Sequence, residues 1–266
     1  MSDMRVLPGG EVDGLLIDID GVLTVSWEPI EGSPDALRTL RRRGVPLRFA
    51  TNTTTRTRAE VAERLGAAGF DVDVSEILSA PAATAAYLRR EHPGERCFLL
   101  NSGDLGDDLA GIEFVDDGPA AVVVIGGAGV NFTHQQLNRA FRLILDGAAF
   151  VAMHRNLYWR TSAGLELDTG AYVRALADAT GVDPVVLGKP SPDFFGTGVA
   201  ELGLEAPRVA MIGDDLDNDV LGAQHAGLRG VLVRTGKFRE AVLAASDERP
   251  DLVIDSFGSV PELFPE

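Results

Sequence analysis

The sequence predicts an α/β protein: a doubly wound parallel sheet with a second, smaller α/β domain inserted into it. Three observations carry this expectation. Short, unbroken apolar runs bounded by turn residues, among them 14–17, 45–50 and 209–212, have the character of strands buried on both faces. Segments with helical spacing alternate with these runs, which is the rhythm of parallel strands joined by crossover helices. The middle third has strand and helix signals of its own and is long enough to form a separate domain. The expected division is a core of residues 1–80 and 181–266 around an inserted domain of residues 81–180.

In chain order, the first strand covers 15–19 and runs into Asp18-Ile19-Asp20-Gly21-Val22-Leu23. Residues 35–43 have helical spacing and stop at Gly44. A second buried strand at 45–50 ends in the polar stretch Thr51-Asn52-Thr53-Thr54-Thr55. Thr57 and Glu60 have capping-box spacing and open a helix to about residue 68. A short strand at 77–78 precedes Ser79-Ala80-Pro81, the start of another helix. In the middle third, strands are expected at 97–100, 121–125 and 150–154. Helices are expected there over 133–145, opened by Thr133 and Gln136, and over about 169–179. The last third places a strand at 185–187 before Gly188-Lys189-Pro190, then a helix from Ser191-Pro192 to about 202. A strand at 209–212 leads into Gly213-Asp214-Asp215 and a helix to 226, with further strands at 230–233 and 252–254.

Composition narrows the class. With 45% apolar residues and a mean hydropathy of +0.07, the 266-residue chain has ample material for a core. The longest purely aliphatic stretch, 120–125, is far too short to span a bilayer, so no membrane partner is expected. Residues 1–5 lack the charged-then-apolar layout of a signal peptide. The single Cys97 has no internal disulfide partner, so a cytoplasmic location is expected. A net charge of −16 argues against nucleic acid, whose binding rests on clustered Lys and Arg. Of 24 basic residues only Lys189 and Lys237 are lysines, each following a glycine. Chance in a chain that otherwise uses arginine is explanation enough for Lys237; Lys189 has a better one.

Four polar signals each follow a predicted buried strand: Asp18 with Asp20, Thr51 with Asn52, Lys189, and Asp214-Asp215 with Asp219. Carboxyl ends of parallel strands converge on one edge, so these residues are expected to meet. Two Asp beside a buried strand would be very costly without a cation to neutralise them. The set suits phosphoryl transfer. An Asp is ionised near neutral pH and can attack phosphorus, giving an aspartyl-phosphate that water hydrolyses. Mg²⁺ neutralises the two anions as they approach, and a lysine, a threonine hydroxyl and main-chain amides hold the remaining phosphate oxygens. An Asp two residues on can serve as acid and base if burial beside a like charge raises its pKa.

Taken in order, Asp18-Ile19-Asp20-Gly21-Val22, Thr51-Asn52, Lys189 and Gly213-Asp214 with Asp219 resemble the four motifs of the haloacid dehalogenase superfamily of phosphatases. The resemblance covers nearly the whole chain and implies that superfamily's Rossmann-like core. The insertion between the second and third motifs is similar to its type II (C2) cap. Arg48-Phe49-Ala50-Thr51-Asn52-Thr53-Thr54, Met211-Ile212-Gly213-Asp214-Asp215 and Val233-Arg234-Thr235-Gly236-Lys237-Phe238 resemble the group of phospholysine phosphohistidine inorganic pyrophosphate phosphatases, as does the stretch 186–195. The resemblance implies Asp18 as nucleophile and metal ligand, and Asp214 as a further ligand. It implies Asp20 as acid and base, with a metal contact through its main-chain carbonyl. Thr51, Asn52, Lys189 and Gly21 would contact phosphate, while Asp215 and Asp219 would stand behind the ligands, Asp215 without a defined role. A homodimer through the cap is plausible for this subclass.

The expected activity is therefore Mg²⁺-dependent hydrolysis of a small phosphorylated metabolite, pyrophosphate or a phosphoamino acid through a phosphorylated Asp18. One rival is a non-enzymatic phosphoacceptor, which also combines Asp, Thr and Lys around Mg²⁺ but needs neither a large insertion nor Asp20. A dehalogenase of the same fold would leave the metal carboxylates without purpose. In the middle third, His154, Asn156, Tyr158 and Trp159 form an aromatic-polar cluster that either reads the leaving group or belongs to an amphipathic strand. Gly126-Gly127-Ala128-Gly129 lacks the third glycine of a dinucleotide fingerprint and reads as a turn. His225 reads as a packing or surface residue, and no zinc spacing occurs.

Overall fold

The computed structural model describes residues 10–161 and 164–264, so the expectation for residues 1–5 lies outside it. The chain forms two compact units: Met1–Thr51, Val61–Leu78 and Lys189–Glu266 make the first, and Asn52–Glu60 with Ser79–Gly188 the second.

In the first unit the apolar run Gly14–Asp18 is a fully buried strand. It lies between Val209–Gly213 and Leu47–Thr51, parallel to both. Arg229–Val233 and Leu252–Ile254 extend the sheet beyond Val209–Gly213, and Ile77–Ser79 extends it beyond Leu47–Thr51. The chain thus winds outward in both directions from its first strand, which puts a topological switch point between Gly14–Asp18 and Val209–Gly213. Side chains alternate across the pleat, so Leu15, Ile17, Phe49, Ala210, Ile212 and Val231 share one core beneath the sheet. The helix Ser33–Arg42 adds Leu37 and Leu40 to that core, and the helix Arg58–Ala67 adds Val61 and Leu65.

A four-stranded sheet organises the second unit, in the order Val185–Val186, Ala149–Ala152, Val122–Ile125, Cys97–Leu100, all parallel. Val122 and Val124 face one core, Val123 and Ile125 the other, as a strand covered on both faces requires. Thr133 caps the helix His134–Leu145 by accepting from the Gln136 amide at 3.2 Å. The glycine turn at 126–129 packs against this unit's own Asn101, Thr54 and Ser102.

The structure departs from the expectations in three places, and in two of them the reason is long-range. Val185–Val186 pairs with Ala149–Ala152, so the chain re-enters the first unit at Lys189 and not at 181. Residues 52–60 join the second unit because Arg58 bonds Asp108 through its main-chain amide at 2.9 Å and Nε at 2.7 Å. An antiparallel pair, Tyr158–Thr161 with Gly164–Leu167, was not expected. Ser191 starts the helix Pro192–Leu202 as read, but its side chain makes no capping hydrogen bond.

The capping box of Thr57 and Glu60 is formed in both directions, at 3.0 and 3.2 Å. Phe49 has no exposed surface and sits beneath the central strands. Phe49→Ala should lower unfolding free energy by about 3–5 kcal/mol in urea titrations, since the cavity adds to the lost transfer energy.

Candidate active site

The carboxyl ends of three neighbouring strands supply the site in the first unit. Asp18 ends its strand beside Ala50, and Thr51, buried, is the next residue on the neighbouring strand. Asp214 follows Gly213 at the end of the strand on the other side. Beyond it the chain forms a wide π-helical turn, Leu216–Leu221, instead of a regular α-helix, before the short helix Gly222–His225. Wide turns of this kind are often found at functional sites. Asp215 caps this turn, its Oδ1 accepting from the Asn218 amide at 3.1 Å. The turn carries Asp219 so close to Gly213 that a Cβ there would lie 2.2 Å from the Asp219 Cβ. Only glycine fits.

Lys189 ties these ends together. Its ammonium, buried, donates to Asp18 Oδ1 at 2.5 Å and to the Ala50 carbonyl at 3.0 Å, and lies 2.7 Å from Asp219 Oδ1. An ammonium has three N–H donors, and these are three acceptors. Oxygens of Asp18, Asp214 and Asp219 all lie within 4.8 Å of one another. Asp219 also accepts from the Asp215 amide through Oδ2, at 3.2 Å. Asp214 Oδ2 accepts from the Lys237 amide at 2.7 Å, whereas Asp214 Oδ1 is buried with no hydrogen-bond partner among the described residues.

Electrostatics at the site follow from burial of more acid than base. Burial raises the Asp214 carboxyl well above its usual range, and the neighbouring Asp18 and Asp219 push it further. Burial likewise raises Asp18, although the Lys189 ammonium opposes the shift. Asp219 is pushed up to about 7, burial outweighing the pull of Lys189. Asp215 goes the other way: burial would raise it, but Lys237 and the Asn218 bonds hold it below the ordinary carboxylate range. Burial works to lower Lys189 and Lys237, yet the surrounding carboxylates raise both. An orphaned buried carboxylate oxygen inside a cluster of three acids is the donor set of a hard divalent cation such as Mg²⁺. The residues fit that cation.

Not every expected residue joins this group. Asp20, expected to be buried beside a like charge, is exposed, whereas Gly21 immediately after it is buried against Asp214. Its carboxylate is outside the cluster of three, and Asp219, expected behind the ligands, is inside it. Asn52 lies in the second unit, where its Nδ2 donates to Asn156 Oδ1 at 3.4 Å. His154 is buried there: Nδ1 accepts from the Asn156 amide at 3.3 Å and Nε2 lies 3.3 Å from Thr54 Oγ1. Tyr158 and Trp159 are exposed, at 37% and 47%. His225 is a surface residue beside Glu248, 2.7 Å away. Lys237, to which the sequence gives no role, belongs to this site; the recurring Gly-Lys pair and the resemblance of 233–238 are the signals that mark it. Its amide holds Asp214, and its Nζ lies 3.4 Å from Asp215 Oδ2.

These shifts set a pH dependence. Asp219 ionises near pH 4 in an unfolded chain and near about 7 in the fold. The folded value is the higher one, so its contribution to stability is complete below about pH 4 and is lost as pH rises through about 7. Asp18 and Asp214 shift in the same direction. Urea unfolding with chelator present should therefore give falling stability from about pH 4.5 to 7.5, with Asp219→Asn flattening part of the fall. Stability that is level or rising across that window in the parent protein contradicts the electrostatic reading.

Known proteins resemble this chain in both sequence and fold. A family described as haloacid dehalogenase-like hydrolase matches residues 15–115, and a second family of the same hydrolases matches residues 186–260. Haloacid dehalogenase-like hydrolase domain-containing protein 2 of Bos taurus is 40% identical over 243 residues, covering 91% of this chain and 92% of the relative. Phospholysine phosphohistidine inorganic pyrophosphate phosphatase of Danio rerio is 38% identical over 254 residues, covering 93% and 92%. Among solved structures, the p-nitrophenyl phosphatase of Archaeoglobus fulgidus superposes with a TM-score of 0.88 at 33% identity, over 95% of this chain and 99% of that one. A glycerol phosphate phosphatase of Mycobacterium tuberculosis, solved in complex with magnesium, gives 0.85 at 30% identity, over 97% and 78%. With its four strand-end motifs and its doubly wound core, the chain belongs to the haloacid dehalogenase superfamily of phosphohydrolases.

Proposed function

We propose that the protein is a Mg²⁺-dependent phosphatase that hydrolyses a small phosphorylated substrate through an aspartyl-phosphate on Asp18. The observation that carries this reading is the buried Asp18–Lys189–Asp219 group beside the orphaned oxygen of Asp214. Asp18 attacks phosphorus, and the bond to the leaving oxygen breaks as Asp20 gives that oxygen a proton. Asp20 then takes a proton from water, which attacks the same phosphorus and frees phosphate and Asp18. The exposed position of Asp20 suits exchange of that proton with solvent. Lys189 orients the Asp18 carboxylate and offsets the charge that gathers at the phosphoryl oxygens.

Asp18, Asp214 and the main-chain carbonyl of Asp20 are the assigned metal ligands, with Asp219 holding Lys189 in place. Bound Mg²⁺ would supply charge neutralisation between the carboxylate and the incoming phosphate. Thr51 and Gly21 are the remaining phosphate contacts in this reading. The second unit corresponds to the C2-type cap. Within it His154 and Asn156 bond to their own unit, so their first role is to shape the 52–54 and 154–156 segments. Tyr158 is the more exposed of the three candidates for substrate choice. Pyrophosphate and phosphoamino acids are substrate classes suggested by one relative's name, and simple phosphate esters by others. A cytoplasmic location and a homodimer through the cap belong to the same reading; no described helix is long and apolar enough to cross a membrane.

Asp18→Asn should abolish release of inorganic phosphate from p-nitrophenyl phosphate, and chelation of divalent metal should do the same to the parent enzyme. Full turnover in either experiment rules the mechanism out. A panel of phosphate esters, phosphoamino acids and pyrophosphate with Mg²⁺ should then give a clear preference in kcat/KM.

A further inference from the structure

The orphaned oxygen of Asp214 is there because the rest of that carboxylate is clamped. After the strand Arg229–Val233 the chain turns through Arg234-Thr235-Gly236-Lys237. The Lys237 amide donates to Asp214 Oδ2 at 2.7 Å. Thr235 Oγ1 donates to the Gly21 carbonyl at 2.5 Å, which joins this turn to the loop that follows Asp18. Both loops reach the carboxylate with bare glycine. A Cβ on Gly21 would lie 1.8 Å from Asp214 Oδ2, and one on Gly236 would lie 2.0 Å from the same atom. Both glycines have positive φ, +89° and +61°, which favours glycine independently of the space. One oxygen of Asp214 is thereby pinned between two backbones, while the other is buried and unpartnered.

We propose that the Thr235-Gly236-Lys237 turn is a clamp that presents Asp214 to the metal through a single oxygen, with Thr235 as its positioning residue. The proposal rests on the Mg²⁺-dependent reading above. A carboxylate free to rotate would present two equivalent oxygens and lose that freedom on binding; a clamped one has lost it already. Among the described residues, Thr235 hydrogen-bonds the Gly21 carbonyl and none of the three assigned ligands. It acts by holding the turn against Gly21, so that the Lys237 amide and the Gly236 backbone stay on Asp214. Groups that orient metal ligands in this way are typically worth about 10- to 100-fold in metal affinity.

The test is calorimetric titration of metal-free protein with Mg²⁺ for the parent chain, Thr235→Val, Thr235→Ser and Gly236→Ala. Thr235→Val keeps the shape and removes the hydroxyl, so Mg²⁺ affinity should fall about tenfold or more. Thr235→Ser restores the hydroxyl and should restore affinity. Gly236→Ala should also bind Mg²⁺ more weakly, because its methyl group displaces Asp214 Oδ2. With p-nitrophenyl phosphate, the Thr235→Val defect should lie in the Mg²⁺ concentration needed for half-maximal rate, and turnover should recover as Mg²⁺ is raised. Equal Mg²⁺ affinity in the parent and Thr235→Val overturns the clamp, as does an equal loss in Thr235→Val and Thr235→Ser. If the parent chain binds no Mg²⁺, the metal reading falls and the clamp with it, whereas parent binding with an indifferent Thr235→Val removes the clamp alone.

Discussion

A single buried ammonium, Lys189, lies between two carboxylates, one at the end of the first strand and one on the turn beyond the neighbouring strand Val209–Gly213, and the functional edge of the protein is arranged around it. Asp18 is 171 residues away in the chain and Asp219 is 30 residues beyond. Taking one charge out of water costs several kcal/mol, and a pair repays that only with close geometry and full hydrogen bonding. Lys189 meets the condition with three acceptors at 2.5, 2.7 and 3.0 Å. The compact ammonium can point its donors at three converging oxygens, which a planar guanidinium cannot do. This is a physical reason for a lysine here in a chain whose other cations, Lys237 apart, are arginines.

The same group is left electrostatically incomplete. Asp18, Asp214 and Asp219 bring three carboxylates to one buried place; the amine bonds two of them, and Asp214 keeps a buried oxygen with no hydrogen-bond partner among the described residues. Burial and the mutual repulsion of these carboxylates raise their pKa values, since each proton retained removes a negative charge that burial penalises. A divalent cation would remove the same penalty without protonation. The acidic excess and the orphaned oxygen of Asp214 are the two features of this cluster that fit the cation proposed above. Local backbone chemistry keeps the group close: Gly213 admits Asp219, while Gly21 and Gly236 admit Asp214.

Much of the fold was legible because strand and helix periods are local properties. The runs at 97–100 and 252–254 became strands with the expected limits, and Thr57 with Glu60 formed the box that their spacing announced. The boundaries that moved are those set by pairing across the chain. Val185–Val186 reads as a strand in either unit, and only its partner, Ala149–Ala152, decides which sheet it extends. Asn52 illustrates the same limit: it follows Thr51 directly in the first unit's motif, yet its side chain bonds Asn156 in the second. The turn at 234–237 has no apolar period, so neither its Gly-Lys pair nor the family resemblance of the stretch 233–238 told that it lies against Asp214.

What the sequence by itself determined was the chemical inventory of each strand end: carboxylates after the first strand and after Gly213, hydroxyl and amide at Thr51-Asn52, and an amine at Lys189. Hydrophobic period and turn residues are short-range signals, and they place such groups at a sheet edge. Only the tertiary structure decided which charge faces which. It placed Asp219 against Lys189, left Asp20 exposed, and closed Lys237 over Asp214. Coulomb and desolvation energies depend on distance and on the exclusion of water, and both are set by neighbours far away in the chain.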